Sequence, residues 1–177
     1  MEIGAVIIAV AGVAGTLGGA FLTQRTAERS RRREIELVRG HTEEHENLAL
    51  RRASYVALNR DARQFTTALN QHLHALRERE VTDADRTALD EAKRAHRDQY
   101  SEAQMIASDE VLARAAAVNR ALNTVYGQVK RLERAEPEPG ETAAGAAEAQ
   151  YAVWGLLRAM RATMRRDLGA TAPEASE

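Results

Sequence analysis

The sequence predicts an all-α protein, a single N-terminal transmembrane helix followed by an antiparallel helical bundle, on three observations. Residues 1–24 carry one charged side chain, Glu2, and hold the longest uncharged run of the chain. Beyond them, apolar residues recur at three- and four-residue intervals, the spacing of one face of a helix. No alternating apolar and polar run long enough for a sheet is present. The 177 residues include 35 alanines and no cysteine, which suits helices and excludes a disulfide framework, a thiolate nucleophile or a thiolate zinc site. With 25 basic and 26 acidic side chains, the composition does not indicate a strongly basic nucleic-acid binder.

From Ile3 to Leu22 there are 20 uncharged residues, which as a helix span about 30 Å, the thickness of a bilayer core. A cleaved signal peptide would need a basic leading segment, but the chain starts Met1-Glu2. Arg25, Arg29, Arg31, Arg32 and Arg33 follow the span instead. Positive charge behind the span predicts a single-pass cell-membrane anchor with its N-terminus outside and its C-terminal part cytoplasmic. The expected divisions are an anchor over residues 1–24, a basic juxtamembrane segment over 25–41, a helical bundle over 42–168 and a disordered tail over 169–177. Within the anchor, Ala11, Gly15 and Gly19 recur every four residues, a spacing that permits close helix packing and self-association.

In the cytoplasmic part, Leu48, Tyr55, Ala62, Leu69 and Leu76 repeat every seven residues, a coiled-coil-like stripe that Leu58, Phe65 and His72 complete. They predict a helix over about residues 42–80. Thr82 with Asp85 has the spacing of a capping box for a second helix, whose seam is Leu89, Ala92, His96, Ala103 and Ile106. Ser108, followed by Asp109 and Glu110, is placed to cap a third helix, although the second and third could also fuse. The third carries the cleanest periodicity: Val111, Ala115, Val118, Leu122, Val125, Val129 and Leu132. Glu136-Pro137-Glu138-Pro139-Gly140 stops it. A last helix over about 144–168 presents Ala147, Tyr151, Trp154, Leu157, Met164 and Leu168, with Gly169 as its C-terminal cap. So much alanine and valine makes a thin core, which points to a homo-oligomer.

Few residues suggest chemistry. His41-Thr42-Glu43-Glu44-His45 matches the H-x-x-E-H spacing in which two histidines one helical turn apart bind zinc. Its charged surroundings and the want of a third ligand favour a solvated helix. His72, on the apolar stripe, reads as a core histidine, and His74 points elsewhere because it is two residues away. Tyr151 and Trp154 read as core residues more readily than as anchors for a partner. The glycines from Gly12 to Gly19 lack the Lys-Ser/Thr of a phosphate loop. No catalytic, cofactor or metal site is expected, and the chain reads as a non-enzyme.

The glycine- and alanine-rich span Ile3–Leu22, the arginine cluster from Arg25 to Arg33 and the Arg/Ala-rich helical remainder together resemble the KilB-type transfer and spread proteins of Streptomyces conjugative plasmids. The resemblance is one of overall plan and covers the whole chain. It implies a non-enzymatic role at the membrane in plasmid transfer and intramycelial plasmid spread, with a plasmid-encoded DNA translocase or other transfer proteins as partners. The same plan also fits a membrane-anchored scaffold or signalling protein unrelated to DNA transfer.

Overall fold

The computed structural model describes residues 43–170, and all their regular structure is helical. The chain divides into two compact units, Met1–Asn47 and Leu48–Glu177. Of the first, residues 43–47 are described and are helical. The anchor expected over 1–24, its packing residues Ala11, Gly15 and Gly19, and the basic residues Arg25, Arg29, Arg31, Arg32 and Arg33 lie outside the described residues. Among the described residues no helix is long and apolar enough to cross a membrane.

The second unit holds four helices: α1 over residues 48–78, α2 Asp83–Ile106, α3 Asp109–Glu133 and α4 Ala143–Asp167. The predicted stripe of α1 packs as a core. Tyr55, Leu58, Ala62, Phe65, Leu69 and His72 are buried, Leu76 is half-buried, and only Leu48 lies exposed. Four residues separate α1 from α2, and the Arg79 guanidinium clamps them by donating to both carboxylate oxygens of Asp85 at 2.7 and 2.8 Å. Asp85 also closes the predicted capping box. It accepts from the Thr82 backbone N–H at 2.9 Å, while the Thr82 hydroxyl accepts from the Asp85 backbone N–H. Two otherwise orphaned donors are thereby satisfied at the entry to α2.

The second and third helices do not fuse. Ala107 and Ser108 take extended backbone angles and break the chain between them. Ser108 is the N-cap residue of α3 by backbone geometry, but its side chain makes no cap hydrogen bond. Its backbone N–H donates to the Tyr55 hydroxyl at 3.3 Å, tying the turn to α1. From this turn α3 runs back along α2, so that Tyr126 reaches Asp90 and Glu133 reaches Arg86. The α3 seam is buried as predicted from Val111 to Val129, with Leu132 half-buried.

The third helix ends three residues before the Glu136 breaker, at Glu133. The Glu136 N–H donates to the Arg131 carbonyl and the Ala135 N–H to the Leu132 carbonyl, the paired bonds of a Schellman turn. Such a turn needs a left-handed residue between them, and Ala135 supplies it at φ 59°. The same pair of bonds ends α4, from Ala170 to Arg165 and from Gly169 to Arg166, with Gly169 at φ 65°. At its start Thr142 accepts from the Gly145 N–H at 3.0 Å.

On α4 the expected Leu157 and Met164 are buried, but in the first half of the helix the buried face lies one residue before the expected Ala147, Tyr151 and Trp154. Ala146, Gln150, Val153, Leu157, Met160 and Met164 are buried, whereas Tyr151 is 77% exposed and Trp154 half-buried. The Gln150 amide enters the interior because it donates to the Thr66 backbone carbonyl of α1 at 3.1 Å, which satisfies a buried polar group. Helices that meet through alanine and valine leave little room for two aromatic rings. The four helices form an up-down-up-down antiparallel bundle. Tyr55 near the start of α1 bonds Asp167 at the end of α4, and Phe65 stacks against His96 of α2 and Tyr126 of α3 at 5.8 and 6.1 Å.

Ala135→Gly should raise stability by about 1 kcal/mol, since glycine adopts the left-handed region without the Cβ clash, and Gly169→Ala should lower it by a similar amount. Urea denaturation of the two variants checks the pair of opposite signs. Leu122, fully buried on α3, should tolerate no charge: Leu122→Asp should cost about 3 kcal/mol or more. A melting temperature equal to that of the parent chain would contradict the placement of this face.

Candidate functional site: an arginine-lined groove on α1 and α4

A concave feature of the second unit runs along the outer face of α1, from Tyr55 to Gln71, beside Ala88 of α2, and is walled at one end by Arg161, Met164, Arg165 and Leu168 of α4. Its volume is about 830 Å³. Sixteen helical steps at 1.5 Å make it about 24 Å long. The sequence produces this face because α1 turns Tyr55, Leu58, Ala62, Phe65 and Leu69 inward. The opposite positions, Val56, Asn59, Arg60, Arg63, Gln64, Thr67 and Gln71, are left to line the groove.

Four arginines line it, Arg60 and Arg63 from α1 and Arg161 and Arg165 from α4, and no carboxylate does. Arg60 donates at 2.7 Å to Asp61, whose side chain is turned inward and nearly buried. The Arg63 guanidinium lies 5.8 Å from the centre of the Trp154 ring, a cation–π distance. Arg165 donates to the Ala170 carbonyl at the end of its own helix. Among the described residues neither Arg63 nor Arg161 has an ion-pair partner. Helix α1 carries five basic and two acidic side chains, α4 four and two, and α2 four and six. Positive charge is therefore concentrated on the α1 and α4 side of the unit.

A second polar cluster closes the opposite end of the bundle. Glu133 accepts from Arg86 at 2.6 Å and from Lys130 at 2.7 Å, and sits 3.2 Å from His72 Nε2. Burial acts to raise its pKa, but the hydrogen bonds from Lys130 and Arg86 and the charge of Lys130 outweigh burial and hold it at about 2. Glu141, gripped by Arg131, is likewise held at about 2. Beside α2, the Lys93 ammonium lies 3.6 Å above the Tyr126 ring. Burial and the hydrogen bond to Asp90 push the Tyr126 phenol up to about 12.

The histidines occupy three kinds of place. His72 is buried in the core, as its position on the stripe predicts, and His74 is exposed. In the H-x-x-E-H segment, His45 is exposed on a helical residue, and His41 lies outside the described residues. Among the described residues no group of three or more His, Asp and Glu is arranged to hold a metal ion. His96 is buried, and neither of its ring nitrogens has a hydrogen-bond partner among the described residues. Burial pushes its pKa below the ordinary value, against the opposite pull of the nearby Asn119 side chain and the Asp61 carboxylate.

The groove is not apparent from the linear sequence, since its two walls lie about 100 residues apart. The available signal is Arg161 and Arg165, one helical turn apart with no acid between them, a pattern that an isolated helix would offset with i,i+4 carboxylates. Comparison of the chain with protein-family models, curated proteins and solved structures finds no match.

The depressed groups set two acid windows for stability. In the folded state His96 stays neutral below its ordinary pKa of 6.5, so the unfolded chain binds the extra proton and stability falls as the pH drops below about 6.5. The slope is at most about 1.4 kcal/mol per pH unit. Glu133 and Glu141 then contribute stability that is lost as the pH falls through the interval from 4.5 to about 2. His96→Leu should flatten the first window and leave the second, as read by thermal melts at a series of pH values. Equal slopes in parent and variant would remove His96 as the cause.

Proposed function

We propose that the chain is a membrane-anchored, non-enzymatic interaction protein of conjugative plasmid transfer and intramycelial plasmid spread. The arginine-lined groove carries the reading of the second unit as an interaction unit: four arginines and no carboxylate around a concavity of about 830 Å³ support a binding role. The uncharged run Ile3–Leu22 and the arginines behind it support the membrane anchor, with the helical unit on the cytoplasmic side. The resemblance in overall plan to the KilB-type proteins supports the transfer role and a plasmid-encoded DNA translocase, or another transfer protein, as partner. Self-association through Ala11, Gly15 and Gly19 belongs to the same reading.

Deleting residues 2–24 should move the protein from the carbonate-resistant membrane fraction to the soluble fraction, and should abolish plasmid spread in quantitative matings scored for both transfer frequency and spread. Recovery of the full-length chain in the soluble fraction would refute the anchor. A deletion that releases the protein but leaves transfer and spread intact would refute the transfer role and favour a membrane scaffold of another process.

A further inference from the structure

We propose that the groove on α1 and α4 receives an acidic amphipathic helix of about four turns from a partner protein. The proposal rests on the reading of this unit as an interaction module and names the chemistry of what it holds. The groove's length of about 24 Å matches about 16 helical residues. Its surface combines what such a helix needs. Val56, 62% exposed on α1, with half-buried Ala68 of α1 and Leu168 of α4, offers apolar contact, and arginines from both helices stand around them. Leucines spaced at three and four residues would meet the apolar side chains, and glutamates beside them would pair with Arg63 and Arg161, neither of which has an ion-pair partner among the described residues.

Charge complementarity selects the partner's sign, since no carboxylate lines the groove and, with Arg60 paired to Asp61, the other three arginines have no ion-pair partner among the described residues. The lining selects a helix over other anions. An acyl chain needs a continuous apolar channel, and here Arg60, Arg63, Gln64, Thr67 and Gln71 stand among the apolar side chains of the lining. A nucleic-acid strand gains from exposed aromatic faces on which bases stack, and here Tyr55 is buried with its hydroxyl bonded to Asp167, while Trp154 lies under Arg63.

Trp154, the single tryptophan of the chain, makes the groove measurable, because a ligand that engages Arg63 changes the surroundings of the indole. The full-length chain in nanodiscs of zwitterionic lipid is titrated with a synthetic helical peptide of about 18 residues, with leucines at three- and four-residue spacing flanked by glutamates, and with its lysine-for-glutamate counterpart. The acidic peptide should bind saturably with a change in Trp154 emission, and the lysine peptide should bind at least about ten-fold more weakly. Arg161→Ala combined with Arg165→Ala, and separately Val56→Glu, should each weaken the acidic peptide by about ten-fold or more. All three residues are exposed, and unchanged thermal melts would exclude loss of fold. Equal binding of both peptides, or parent-like binding by the variants, would overturn the proposal. So would tighter binding of duplex DNA or of anionic-lipid nanodiscs with the same dependence on Arg161 and Arg165. Failure of these titrations with membrane recovery and plasmid spread intact would refute the helix partner alone; loss of membrane recovery would refute the anchor independently.

Discussion

The fold depends on the small-residue seam of α3. Val111, Ala115, Val118, Leu122, Val125 and Val129 are all buried, and each fully buried valine or leucine contributes about 1.5–3 kcal/mol relative to exposure. Side chains this short keep neighbouring backbones close, so the helices packed against α3 also need small or flexible residues at the contact. On α4 the requirement is met by Ala146, Val153, Leu157, Met160 and Met164, and the two aromatic residues of that helix are turned away from the deepest layer. At the centre Phe65 is fully buried and reaches both α2 and α3.

A core of that kind buries limited apolar area, and polar ties at the two ends complement it. At one end Glu133 joins α1, α2 and α3 through His72, Arg86 and Lys130. At the other, the Tyr55 hydroxyl accepts from the Ser108 N–H and donates to Asp167, so one phenol connects α1, the turn between α2 and α3, and the end of α4. These partly buried interactions are screened less than surface pairs and hold helix register more specifically than alanine packing does.

Charge follows the same division of labour. Near-neutral composition conceals a strongly uneven distribution, because folding brings α1 and α4 side by side, each with more arginine than carboxylate, and leaves the acidic excess on α2 and on the connection before α4. The arginine-lined groove arises from that juxtaposition. A composition counted along the chain averages it away.

Much of the helical architecture was legible in the sequence because helix formation and burial share a period. The stripes of α1 and α3, the Thr82–Asp85 capping box and the Gly169 terminus each follow from short-range rules, and each is present. The membrane span and its basic collar are likewise readings of composition, on residues outside those described. Tertiary structure decided three things that no local pattern contains. It selected the face of α4, where the long-range bond from Gln150 to the Thr66 carbonyl and the narrow interhelix space outweighed the hydrophobicity of Tyr151. It closed α3, where the sequence places a stop, through a left-handed Ala135, a position where local preference favours glycine. It assembled the groove from arginines about 100 residues apart, because proximity between the outer face of α1 and the end of α4 is a property of the packed bundle and of neither helix alone.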